Sequence, residues 1–123
     1  MPILETAARN AACDAIVDLI DAGAGAGTLE FETSGDVEVA TLTFSDPAFG
    51  AASTGTATAS SITADSSATG GTVAQASIYD SDSNKIMELT VATSGADINI
   101  SSTTVAATES VSCSSLTITV PAS

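Results

Sequence analysis

Residues 28–44 read TLEFETSGDVEVATLTF, and this stretch decides the fold. Leu29 and Phe31 alternate with Thr28, Glu30 and Glu32, while Ala40, Leu42 and Phe44 alternate with Thr41 and Thr43. A period of two sends successive side chains to opposite faces of a strand, so each run predicts a strand with one buried face. Between the runs, SGD at Ser34 to Asp36 supplies turn residues, which predicts an antiparallel hairpin. Val37 and Val39 are out of phase with Ala40, Leu42 and Phe44, so a bulge or a strand break is expected there.

The same alternation recurs downstream at Ala74, Ala76 and Ile78; at Met87, Leu89 and Val91; at Ile98 and Ile100; and at Leu116, Ile118 and Val120. Turn signals separate these runs: DPAFG at Asp46 to Gly50, TGG at Thr69 to Gly71, DSDSN at Asp80 to Asn84 and SGAD at Ser94 to Asp97. Val111 and Cys113 break phase with Leu116, a second expected irregularity. From Ala51 to Thr72 the chain is nearly all Ala, Ser, Thr and Gly, with Ile62 the single large apolar residue. That segment is either a small-residue strand pair lying close to another backbone or a mobile surface stretch.

Upstream of the strands the period changes. Cys13, Ile16, Val17 and Ile20 recur at helical spacing, with Leu19 widening the stripe and Asp14, Asp18 and Asp21 elsewhere around the axis. Thr6 is the expected N-cap, Gly23, Gly25 and Gly27 end the helix, and DAGAGAG reads as a flexible joint. The chain is thus one domain, residues 1–123, with a helix over 6–22, a joint over 23–27 and a β domain over 28–123. The expected class is mainly β: an antiparallel β-sandwich or flattened barrel of about six to eight strands with one N-terminal α-helix.

Composition limits what such a domain can do. Ala supplies 23 of the apolar residues, and there are three Phe, one Tyr and no Trp, so the core is thin. Two basic residues, Arg9 and Lys85, face fifteen carboxylates, for a formal charge of −13. Phosphate recognition needs clustered Lys and Arg, so nucleic acid is excluded as a partner, and an anionic membrane surface is disfavoured for the same reason. No apolar run approaches the roughly 20 residues that span a bilayer, and the N-terminal MPILETAARN lacks the plan of a signal peptide. A soluble protein made in the cytoplasm is expected, where disulfides are rare; a Cys13–Cys113 pair is disfavoured on that ground, and the sequence does not show whether the two meet.

The chain contains no His, which removes the usual general base, the commonest zinc ligand and the standard activator of Ser or Cys. Neither a GxSxG elbow nor a phosphate-binding GxxxxGK[ST] is present, and no catalytic residue is assigned. Asp80, Asp82 and Asn84 alternate like the first ligands of a calcium loop, but Lys85 replaces the loop glycine and Val91 stands where the bidentate Glu belongs. A polar hairpin tip explains the same residues. Glu30 with Glu32, and Asp36 with Glu38, read as acids on a solvated strand face, against a catalytic pair in a cleft. The stripe Cys13, Ile16, Val17 and Ile20 is either internal core or, on its Gly joint, a surface for docking a neighbouring subunit.

The helix ending in DLIDAG, the segment ATLTFSDPAFGAAS at Ala40 to Ser53, and LTVATSGADINISSTTV at Leu89 to Val105 followed by SLTITVPAS carry a resemblance. Together they resemble a family of small structural proteins of tailed bacteriophages, although the Trp or Arg of the family's middle strands is missing from VAQAS at Val73 to Ser77. The resemblance implies a non-catalytic virion component, a capsid cement or decoration protein whose partner is the major capsid protein, placed on the capsid surface as a homotrimer or other homo-oligomer. No cofactor is expected, with calcium at Asp80, Asp82 and Asn84 the alternative. A neck or tail structural protein, a surface glycan-binding β module and an enzyme working through carboxylates alone are the competing readings.

Overall fold

A computed structural model describes residues 2–122. The helix α1 (Thr6–Asp18) tightens into a 3-10 turn at Leu19–Asp21. Ten strands follow: β1 (Thr28–Glu32), β2 (Glu38–Phe44), β3 (Thr56–Thr58), β4 (Ile62–Thr63), β5 (Gly71–Thr72), β6 (Gln75–Tyr79), β7 (Lys85–Ala92), β8 (Ile98–Asn99), β9 (Thr104–Val105) and β10 (Thr117–Thr119). Strand makes up 36% of the chain and helix 13%, so the mainly β class with one N-terminal helix holds.

Six strands form one curled sheet in the order β4-β2-β1-β6-β7-β8, and β10 with β3 and β5 with β9 form two small pairs. The β1/β2 hairpin has the expected register, Leu29 opposite Leu42 and Phe31 opposite Ala40. One residue later the register slips and Glu32 faces Glu38, leaving Val39 as the extra residue of a bulge. That bulge lets Val39 and Ala40 both be fully buried, which strict alternation forbids. The second phase break is a strand break: Val111 makes one isolated bridge to Asp65, and the ladder resumes only at β10.

The sheet is mixed, where hairpins alone were expected. β8 runs parallel to β7, with Val91 opposite Ile98. Short connections normally give antiparallel neighbours. Here the chain doubles back twice, because the Thr90 amide donates to the Asp97 carboxylate and the Asp97 amide donates to Thr90 Oγ1, both at 2.9 Å. This clamp sets Asp97 beside Thr90, and the chain leaves it in the direction of β7.

Leu29, Phe31, Ala40, Leu42, Ala76 and Ile78 on the inner face are all 0% exposed and meet Cys13, Val17 and Ile20 from the helical segment. The total accessible surface is 6257 Å², what a folded chain of this mass exposes. The Ala51 to Thr72 stretch makes three short strands that pair with distant segments and not with one another, β3 with β10, β4 with β2 and β5 with β9, and Ala57 of β3 is fully buried.

Two expectations for the helix and its joint are corrected. Thr6 is the first helical residue, and Glu5 at the cap position makes no side-chain cap bond. The DAGAGAG joint is fastened: the Gly25 amide donates to Ser81 Oγ, Gly27 O accepts from the Phe44 amide, and a Cβ on Gly27 would come within 2.6 Å of Ile20. The polar helix residues are equally engaged. Asp14 and Asp21 accept from the amides of Ala52 and Ala48, and Asn10 accepts from Gly55, so the helix holds the Ala48 to Gly55 loop by its backbone. Arg9 completes the clamp by donating to Val120 O at 2.9 Å and Thr54 O at 3.1 Å.

Candidate functional site

The outer face of the β2-β1-β6-β7 sheet follows from register. Glu30 lies beside Thr41 on one side and Ser77 on the other, and Ser77 lies beside Glu88. Glu32 lies between Glu38 and Gln75, and Tyr79 pairs with Lys85 at the other end of the face. The strand alternation that drives Leu29 and Phe31 inward therefore assembles a polar surface with two glutamates at its centre.

This face is not the solvated surface expected for the Glu30 and Glu32 pair. Glu32 is 1% exposed and Ser77 0%. A carboxylate so covered is tolerated only when its oxygens are bonded, and here Ser77 Oγ donates at 2.8 Å, Tyr79 Oη at 3.1 Å and Gln75 Nε2 at 3.3 Å. Burial pushes the Glu32 carboxyl up, but these donors and the neighbouring Glu30 carboxyl outweigh it and hold it below the ordinary glutamate value. Glu30 goes the other way. Burial, the shared hydrogen bond with Glu32 and the negative charges of Glu32 and Glu38 raise it to about 7, against a small opposing pull from Lys85. Glu30 therefore titrates near neutral pH, beside a Glu32 that stays ionised there.

Asp36 and Glu38, the other acid pair, fall at the margin of the same face. Gln75 Nε2 also donates to Asp36, and Glu38 accepts from Thr41 Oγ1 and Thr69 Oγ1. Lys85 pairs with Glu88 at 3.2 Å. The sequence signal for the cluster was present in the Glu30/Glu32 spacing, but the donors that bury it come from β6, whose side of the sheet only register decides.

The remaining candidates lie apart from it. Asp80, Asp82 and Asn84 form the β6/β7 hairpin tip, where the Asp80 carboxylate accepts from the amides of Asp82 and Asn84 and from Asn84 Nδ2. Those bonds lower the Asp80 pKa. Among the described residues no group of three or more His, Cys, Asp or Glu is placed to hold a metal ion. Of the helix stripe, Cys13, Val17 and Ile20 are buried by the chain's own core, Ile16 is half-buried and Leu19 is exposed. Cys13 and Cys113 are free, their thiols donating to Ile118 O and Ser115 O.

The described residues form open grooves at two places beside the sheet. One of about 440 Å³ runs between the Asp97 to Ser102 and Glu109 to Ser115 segments, with Val105 in its wall. The other, of about 370 Å³, lies between β7 and β10. Glu30 and Glu32 line neither of these grooves. No helix among the described residues is long and apolar enough to cross a membrane. No protein-family model matches the chain, and neither does any curated protein or any solved structure.

Proposed function

We propose that the protein is a non-catalytic structural component of a tailed-bacteriophage virion, a cement protein on the outer capsid that stabilises the shell by contact with the major capsid protein. The observation that carries this reading is the state of its charges. Both basic side chains are engaged within the chain, Arg9 by Val120 and Thr54 and Lys85 by Glu88, while the formal charge is −13. A surface of acids without cations repels neighbouring copies unless salt screens it or a basic partner intervenes, so it gains by meeting basic groups of the shell protein or bound cations.

The absence of His and the position of the Glu30/Glu32 pair outside both grooves fit a role in packing more than one in turnover. The resemblance in DPAFG and SGADI supports a virion setting for that packing, where copies would be arranged as homotrimers or another homo-oligomer.

Cryo-electron microscopy of the virus particle that carries this gene tests the proposal. Density for the chain clustered on the shell lattice, lost when particles are washed at high salt, is the expected result. Density confined to the neck or tail moves the role there, and particles without the chain overturn the virion reading.

A further inference from the structure

The sheet is left open along one long edge. β7 spans Lys85–Ala92, yet β8 pairs with it only at Val91 and Ala92. The direction of its free backbone groups follows from the ladder. The Thr90 amide donates away from β6 to the Asp97 carboxylate, so Glu88, two residues earlier, presents its own N–H and C=O outward as well. No strand of the described chain lies against Lys85 to Leu89 on that side.

A second open edge borders the same space. Ala59 donates to Leu116 O and Val120 donates to Gly55 O, so the even-numbered residues of the β10 segment bond towards β3. Thr117 and Thr119 therefore present their backbone groups to the opposite side. The groove of about 370 Å³ between these edges is lined by Met87, Leu89, Asp97, Thr117, Ile118 and Thr119. Met87, Leu89 and Ile118 are half-buried apolar side chains on the core's margin, covered on one side only. Unpaired edges of this kind are templates for an added strand, and natural proteins usually blunt them.

We infer that this groove receives an extended segment of a partner protein, which adds to β7 as a further strand. Its backbone pairs with the outward groups around Glu88, and alternate apolar side chains rest on Met87, Leu89 and Ile118. Its other side chains are basic. Glu88 and Asp97 flank the edge, and the nearest cation, Lys85, is already paired with Glu88. An edge like this accepts whatever chain of that chemistry fits it, in a virion or elsewhere.

The test uses the whole protein and a short synthetic peptide alternating lysine and valine, together with two versions N-methylated at alternate amides. All three carry the same charge, so electrostatic attraction alone binds them equally. The parent peptide is expected to shift the amide resonances of Glu88, Leu89 and Thr117 to Thr119 and to slow exchange of the Glu88 amide about tenfold. One N-methylated version is expected to lose binding and the other to keep it, because only alternate amides face β7. Glu88→Pro, which removes an outward N–H, is expected to abolish binding; should that variant fail to fold, the methylated peptides decide alone. Equal binding of all three peptides, shifts on a different surface, or protection of the Glu88 amide by self-association without peptide overturns the inference.

Discussion

The two faces of β1 are built from neighbouring residues and held by different physics. Leu29 and Phe31 are fully buried because apolar area leaves water when the helix and the small β3/β10 pair close over them. Glu32, one residue on, is almost as fully covered, yet its burial is tolerated only because Ser77, Gln75 and Tyr79 supply three donors. The inner face is held by volume and the outer face by donor count. Alternation along a strand reports which side a residue takes, and it does not report whether water reaches that side.

Substitutions can break that contrast, and the largest effect belongs to the inner face. Phe31→Ala empties the centre of the core and is expected to cost about 3–5 kcal/mol in urea denaturation. A loss below about 1 kcal/mol would mean that the thin core collapses around the gap. On the outer face, Glu32→Ala leaves the Ser77, Gln75 and Tyr79 donors without their shared acceptor and is expected to cost about 1–3 kcal/mol. If Glu32→Ala were neutral, the face would be wet and the distinction drawn here would fail.

The third prediction concerns pH. Glu30 is raised to about 7 in the fold from an ordinary value of 4.5, so between those values the folded state holds the proton more tightly. Its contribution to stability therefore falls as pH rises from about 4.5 to about 7 and is constant above. Glu32 is lowered, so its contribution is present above 4.5 and is lost as pH falls through its folded value. The two glutamates together place a maximum of thermal stability in mild acid. Glu30→Gln is expected to flatten the alkaline side of that profile and leave the acid side, as read from melting temperatures across the range. An unchanged alkaline side would remove Glu30 from the account. The smallest effect is expected of Lys85→Ala, below about 0.5 kcal/mol, because its pair with Glu88 is exposed and screened.

Particular elements show where reading the chain succeeded. The phase break before Ala40 located the bulge at Val39, because an extra residue always shifts parity. The break after Cys113 likewise marked a gap between bridges. The Gly-rich stretch read as a loose joint because glycine is permissive, but Gly27 is there because Ile20 and the Tyr79 carbonyl approach too closely for a side chain. Asp14 and Asp21 read only as lying off the apolar stripe, because their partners are the amides of Ala52 and Ala48, many residues away. The candidate acids were visible as Glu30 and Glu32, while Ser77 and Tyr79, which give them their chemistry, carried no signal of their own.

The sequence by itself determined the strand faces, the turns, the one amphipathic helix, the thin core and the excess of acid, because each of these depends on residues close together in the chain. Only the tertiary structure decided that β6 lies next to β1, that the chain returns parallel to β7, and that the edges of β7 and β10 stay open around one groove. These depend on which distant segments share a ladder, and a period of two is the same whichever strand stands alongside.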